Sequence, residues 1–234
     1  EGRIYRELGD ALSGMVESFS FTSLAEKILS TEGGAAVQTL SDAGRAVLVR
    51  RALEELQDNV HYYHRHRRSA AFCQMAAQTI DELKSAGLSG QQLAQLAGAC
   101  GAESGKLSEL ALIFQGYETL LARSGMDPSD RLELAGARLE EALARHSLPE
   151  FLRDRAVFID EFDTFNAPKK RLLGAMLAAL PSVTVALCDD GAPLLPGDLS
   201  LFSGAKQVAA QLRQLARKNG AEVAVPQLLR KDLR

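Results

Sequence analysis

Tryptophan is absent from this chain, aromatic residues make up only 6% of it, and its three cysteines stand far apart. Cys73, Cys100 and Cys188 form no CxxC pair and have no histidine at ligand spacing, which argues against a structural metal, an iron–sulfur cluster or a disulfide framework. They are expected to be reduced core thiols. Long apolar runs are missing as well: none approaches the roughly 18 residues of a bilayer span. The opening EGRIYRELGD has neither the basic start nor the apolar stretch of a secretory signal. An intracellular protein with no membrane partner is expected. Positive charge is not in excess. With 27 Lys and Arg against 30 Asp and Glu, the formal net charge of −3 excludes a strongly basic nucleic-acid coat and leaves room for a local basic track. A GxxxxGK[ST] phosphate loop is lacking too. GAESGKL (101–107) has one residue too few between its glycines, Leu107 after Lys106 and no preceding strand, so it reads as an interhelical loop.

What is present is core material: 46% hydrophobic and 24% charged content over 234 residues describe a globular chain of one large or two small domains. Starting at Glu1 and ending in RKDLR, it is expected to be a piece of something longer. MVESFSF (15–21) alternates like a strand, and TSLAEKIL (22–29) follows with helical spacing. From Ser41 the pattern turns to helix after helix. Ser41 can cap DAGRAVLVRRALEEL, AAFCQMAAQTIDELKSAG stops at Gly87, and Ser89 with Gln92 makes a capping box. KLSELALIFQGYETLLARSG stops at Gly125, and Asp127-Pro128 opens the next helix. Strand character returns in AVFID (156–160) and VTVALCD (183–189), separated by a helix with Asn166 as its cap. A last helix (203–220) leads to a short strand, EVAV (222–225). Apolar strands alternating with helices predict an α/β core with a parallel sheet covered on both faces, interrupted by a helical insertion. The expected parts are 1–40 (first part of the core), 41–153 (insertion) and 154–234 (second part of the core).

The sharpest chemical feature is VFIDEFDTFN (157–166), in which Asp160 and Glu161 sit side by side at the end of an apolar strand. Ligands gather beyond the carboxyl ends of parallel strands. There, an acidic residue can help hold Mg²⁺ and a neighbouring Glu can orient an attacking water, the metal offsetting the repulsion between the carboxylates. An apolar strand that simply ends in water looks the same, and the motif alone leaves both readings open. HYYHRHRR (61–68) mixes cations with stacking side chains as single-strand binders do, though a solvated helix start is favoured over that reading. Lys169, Lys170 and Arg171 could neutralise phosphates, though an ordinary exposed first turn is favoured, and Asp189-Asp190 could sit near a nucleotide or open a loop, with the loop favoured.

Ser20, Phe21 and Thr22, followed by SLAEKIL, resemble the strand-end segment that UvrD-like superfamily 1 helicases place against single-stranded DNA, and DEF (160–162) resembles their second ATPase motif. Over nearly its whole length the chain resembles the helicase-like N-terminal region of the B subunit (AddB or RexB) of bacterial AddAB-type helicase–nucleases. The order and spacing of ESFSFTSLAEKIL, GRAVLVRRALEEL, TIDELKSAGLS, KLSELALIFQGYETLL, VFIDEFDTFNAPKKRLLGAML, VTVALCDD and LFSGAKQVAAQLRQLARKNG carry the resemblance. It implies a RecA-like core (domain 1A) with a helical 1B insertion in a bacterial cytoplasmic protein of double-strand-break repair and recombination. ATP and Mg²⁺ would bind at Asp160 and Glu161 in the intact subunit only, and DNA would contact Ser20, Phe21 and Thr22. An A-type helicase–nuclease subunit would be the partner. A catalytically silent scaffold that docks that partner is the other reading. The departures are Glu161, where such B subunits often have Gly, and Asp163 in place of the Gln of DEFQD. The family's phosphate loop lies upstream of residue 1, and its iron–sulfur nuclease domain lies at the C-terminus.

Overall fold

The computed structural model describes residue 6 and residues 14–101, 104–197 and 199–227. Among these are eight α-helices and one small two-stranded parallel sheet. They are α1 (Phe21–Glu32), α2 (Asp42–Glu55), α3 (Ala70–Ser85), α4 (Gly90–Ala97), α5 (Ser104–Ser124), α6 (Pro128–Ala144), β1 (Ala156–Ile159), α7 (Ala167–Ala179), β2 (Ser182–Val185) and α8 (Ser203–Lys218). The chain is therefore α/β but mostly helical.

Side-chain caps set where the helices begin, because the first amides of a helix have no partner inside it. Ser41 accepts from the Gly44 N–H, Ser69 from Phe72, Ser89 from Gln92 and Asn166 from Lys169. The Ser89 box is closed by the Gln92 side chain, which accepts from the Ser89 N–H at 2.9 Å. Gly87 ends its segment at φ 84, where a side chain would strain the backbone.

Two cores result. Helices α2 to α5 bury Val49, Leu53, Ile80, Leu93, Phe114 and Tyr117 together. Contact between α4 and α5 depends on Gly90, because a Cβ there would fall 2.7 Å from Gln115 Cγ and 2.9 Å from its backbone nitrogen. The second core gathers Ile28 and Leu29 of α1, Leu139 of α6, Ile159 of β1, and Leu172, Leu173 and Met176 of α7. Within the predicted insertion, 41–153, α6 therefore packs its apolar face on α1 and α7 and away from α2 to α5. Ion pairs flank that seam: Arg131 with Glu26 and Arg145 with Glu32 tie α6 to α1, while Arg171 of α7 bridges to Glu133 and Glu140.

Strands β1 and β2 run parallel, with Ala156 opposite Ser182 and Ile159 opposite Val185, and α7 makes the crossover between them. This is a βαβ unit. Val157, Ile159, Val183 and Val185 turn toward the second core, whereas Phe158, on the other face, is 77% exposed.

Three strand expectations are corrected. Residues 16–20 pair with no strand among the described residues, and the alternation of MVESFSF leads into a helix. The Ser20 hydroxyl accepts from the Ser23 N–H, and the Ser23 hydroxyl from the Ser20 N–H, which draws Phe21 into the first turn of α1. Residues 222–225 are likewise irregular, and β2 stops at Val185, with one further bond from the Ala186 N–H to the Ile159 carbonyl. Of the three cysteines, only Cys73 is a core thiol; Cys100 and Cys188 are exposed.

Candidate functional site

The carboxyl end of β1 joins the two segments that the sequence singles out. Phe162, just past Asp160 and Glu161, packs edge-on against Phe21 at the start of α1, with ring centroids 4.9 Å apart; Phe165 is the third ring, 6.1 Å from each of the others. Phe21 thus packs on the segment that directly follows the acidic pair. The Asn166 cap fixes Lys169 in the first turn of α7, from where its ammonium lies over Phe21 at 5.5 Å and over Phe162 at 5.3 Å. Cations are drawn to the negative faces of aromatic rings. Lys169 is therefore not the ordinary exposed residue expected, but a half-buried charge above an aromatic pocket. Phe162 and Phe165 join the candidate site through packing that the sequence does not single out, and Lys169 joins it over their rings. The local trace of that packing is the pair of phenylalanines three positions apart, followed by a capped basic turn.

The three helicase-like residues do different things. The hydroxyl of Ser20 is engaged in capping, Phe21 is 9% exposed, and Thr22 is open to solvent. Further along α1, Lys27 stands 5.6 Å over the ring of Phe151, itself 6.3 Å from the half-exposed Phe19. Aromatic rings with lysines beside them therefore occur at two places along this helix.

Asp160 and Glu161 are both exposed, and neither takes part in an ion pair among the described residues. One oxygen of Asp160 accepts from the Glu161 N–H at 2.9 Å. Glu161 itself has φ 64, in the left-handed region that costs a non-glycine residue about 1–2 kcal/mol. A glycine there would relieve that cost while adding freedom to the unfolded chain. Glu161→Gly is expected to stabilise the protein by about 0.5–1 kcal/mol, read as a higher urea midpoint; a lower midpoint would show that the Glu161 side chain contributes contacts that outweigh its strain.

No group of three or more His, Cys, Asp or Glu placed to hold a metal occurs among the described residues. Mg²⁺ binds octahedrally through one or two carboxylates, phosphate oxygens and water. Asp160 and Glu161 could offer two such donors, with one oxygen of Asp160 also accepting from its own chain, and the sequence has no GxxxxGK[ST] loop to hold the phosphates beside them. These residues do not by themselves fit Mg²⁺ with ATP, and no step is derived through that group.

The loop after β2 is fastened by its own carboxylates. Asp189 accepts from the Gly191 N–H at 3.1 Å, Asp190 accepts from the Ala192 N–H at 2.9 Å, and Asp190 also pairs with the buried Lys206 at 2.9 Å.

Fold and site together define an α/β protein whose candidate site lies at the carboxyl edge of a parallel sheet, the edge where such proteins collect ligands. A family model described as "ADDB, N-terminal" matches residues 1–234, and the chain belongs to that family. It is 33% identical over 227 residues to the B subunit of the ATP-dependent helicase/deoxyribonuclease of Desulforudis audaxviator, covering 94% of this chain and 19% of that protein. It is 31% identical over 231 residues to the protein of the same name from Moorella thermoacetica, again 94% of this chain and 19% of the relative. To that of Anoxybacillus flavithermus it is 28% identical over 242 residues, covering 98% and 20%. The chain thus spans about a fifth of the length of these relatives.

Proposed function

We propose that this chain is the DNA-contacting N-terminal region of the B subunit of a helicase–deoxyribonuclease that acts in double-strand-break repair and recombination, beside an A-type helicase–nuclease partner in the bacterial cytoplasm. In this reading the βαβ unit belongs to a RecA-like core with a helical, 1B-like insertion. The observation that carries it is the Phe21–Phe162 contact at 4.9 Å, which brings Ser20, Phe21 and Thr22 to the strand end bearing Asp160 and Glu161. The exposed Thr22 hydroxyl can donate to a phosphate, and Lys169 supplies positive charge over the ring of the adjacent Phe21. ATP and Mg²⁺ belong to the longer polypeptide, where Asp160 and Glu161 would add carboxylates to a phosphate site built by other residues.

Binding of a single strand at this edge depends on few cations, so it is expected to be weak and to fall with salt by a slope of about 0.7 for each phosphate those cations neutralise. The test is fluorescence anisotropy of a labelled oligothymidylate with the full chain over a salt series. Lys169→Gln is expected to weaken binding and to lower the slope of log Kd against log salt by about 0.7. An unchanged affinity and slope would remove the DNA role from this edge. A second reading, a silent scaffold that docks the A-type partner and recognises DNA, draws on the bond of one Asp160 oxygen to its own chain at the Glu161 N–H. That reading predicts docking of the partner that is unchanged by Asp160→Asn or Glu161→Gln.

A further inference from the structure

The segment HYYHRHRR lies on the other core, apart from the carboxyl edge, and it is built more firmly than a solvated helix start requires. One carboxylate organises it. The Glu109 side chain on α5 accepts the consecutive backbone N–H groups of His61, Tyr62 and Tyr63 at 2.8–3.1 Å. Successive amides turned to one side form an anion-binding concavity. Burial pushes the Glu109 carboxyl up, but the three amide donors outweigh burial and hold it below the usual carboxylate range. Its charge is used inside the loop.

From that fixed backbone a continuous line of contacts runs outward. Tyr62 packs edge-on to Tyr63 at 5.2 Å, Tyr63 stacks on Phe72 at 5.5 Å, Phe72 stacks on His66 at 5.4 Å, and Arg65 Nε donates to His66 Nε2 at 3.1 Å. Tyr62 stays 47% exposed at the end of the line, with the Lys106 ammonium 5.2 Å from its ring centroid. Many arginines elsewhere are neutralised by carboxylates, among them Arg45, Arg50, Arg51, Arg131, Arg145 and Arg171. Arg65, Arg67 and Arg68 have no carboxylate partner among the described residues, although the chain as a whole is acidic. Three arginines are thus concentrated in a four-residue stretch beside an exposed, braced aromatic ring.

We propose that residues 61–68, with Lys106, form a second contact for single-stranded nucleic acid, in which a base stacks on Tyr62 and adjacent phosphates pair with Arg65 and Arg68. Stacking on an aromatic face together with cations tracking the backbone is how sequence-tolerant strand binders hold their ligand. A rigid loop loses less freedom on binding than a mobile one, which is what bracing by Glu109 provides. The proposal rests on the DNA reading for the class of ligand only; its residues are separate from those of the carboxyl edge.

The test uses labelled oligothymidylate and the full chain over a salt series, with tyrosine emission followed in parallel. Because the chain has no Trp and four Tyr, stacking on Tyr62 is directly visible as quenching. Arg65→Gln with Arg68→Gln is expected to weaken binding about tenfold at 0.1 M salt and to lower the salt slope by about 1.4, two phosphates' worth. Tyr62→Ala should lose about tenfold, while Tyr62→Phe keeps the affinity and loses the quenching. The loop variants should weaken binding by the same factor whether or not Lys169→Gln is present. Loop variants that bind like the parent, or binding with no tyrosine quenching, would overturn the proposal even if Lys169→Gln has its effect. Loss on the loop variants alone would support it and reject the carboxyl-edge reading.

Discussion

Replacing Asp127 by alanine is expected to destabilise the chain by about 3–5 kcal/mol, the cost of breaking a buried ion pair from one side. Asp127 is 1% exposed, stands at the start of α6 and joins the two cores through its partners. Lys84 of α3 donates to it at 2.9 Å, the Tyr117 hydroxyl of α5 donates at 2.6 Å, and Lys84 also reaches Asp130. Without the carboxylate a buried ammonium keeps only the half-exposed Asp130, and a buried hydroxyl has no acceptor. Asp127→Asn should cost less, because its amide oxygen can still accept from Tyr117. The same network fixes the response to alkali. Burial lowers the Lys84 pKa, but its bonds to Asp130 and Asp127 raise it further, so that it ends above the ordinary 10.5. Burial, with the bond to Asp127, also raises Tyr117 above its ordinary 10.0. Both groups therefore hold protons more tightly in the folded state. Their stabilisation is complete below those ordinary values and is lost as pH rises past them toward the higher folded values. Urea midpoints should fall more steeply above about pH 10 for the parent than for Tyr117→Phe, which has one such proton fewer. Equal slopes would mean that Tyr117 is not held protonated by this network.

Phe21→Ala is expected to cost about 3 kcal/mol of stability, because it opens a cavity against Phe162 and Phe165 and removes one of the two rings beneath Lys169. Thr22→Ala, on the exposed side of the same turn, should leave the urea midpoint within about 0.5 kcal/mol. The contrast bears on function. A loss of strand binding in the Phe21 variant mixes unfolding with lost contact, whereas the same loss in the Thr22 variant reports contact alone. A Phe21→Ala protein as stable as its parent would show that the aromatic trio does not hold α1 to the strand end.

Most of the helix boundaries were legible because the signals are local. A serine or asparagine accepting from the third amide, a glycine at positive φ and a Pro after Asp127 each act within one turn, and Ser41, Ser89, Gly87, Gly125 and Asn166 stand where those rules place them. The strand at 15–21 was misread because alternation reports a face, not a partner, and the Ser20–Ser23 box determines the local outcome. The side on which α6 packs was hidden for a different reason. Its apolar stripe is like those of the neighbouring helices, and the charges that direct it to α1 and α7, Glu26, Glu32 and Arg171, are distant in sequence. Asp160 and Glu161 were found from their position at a strand end. Lys169 reads in sequence as a solvated first turn because basic first turns usually are, and only the packing of Phe21 on Phe162 places rings beneath its ammonium.

Cross-linking tests most directly whether the carboxyl edge of β1 contacts a single strand. An oligothymidylate carrying halogenated bases would be irradiated with the full chain at low salt, and the modified peptides mapped. Adducts within residues 19–22 and 162–169 are predicted, and they should diminish as salt is raised. A strand that binds to saturation yet marks neither segment would contradict the account.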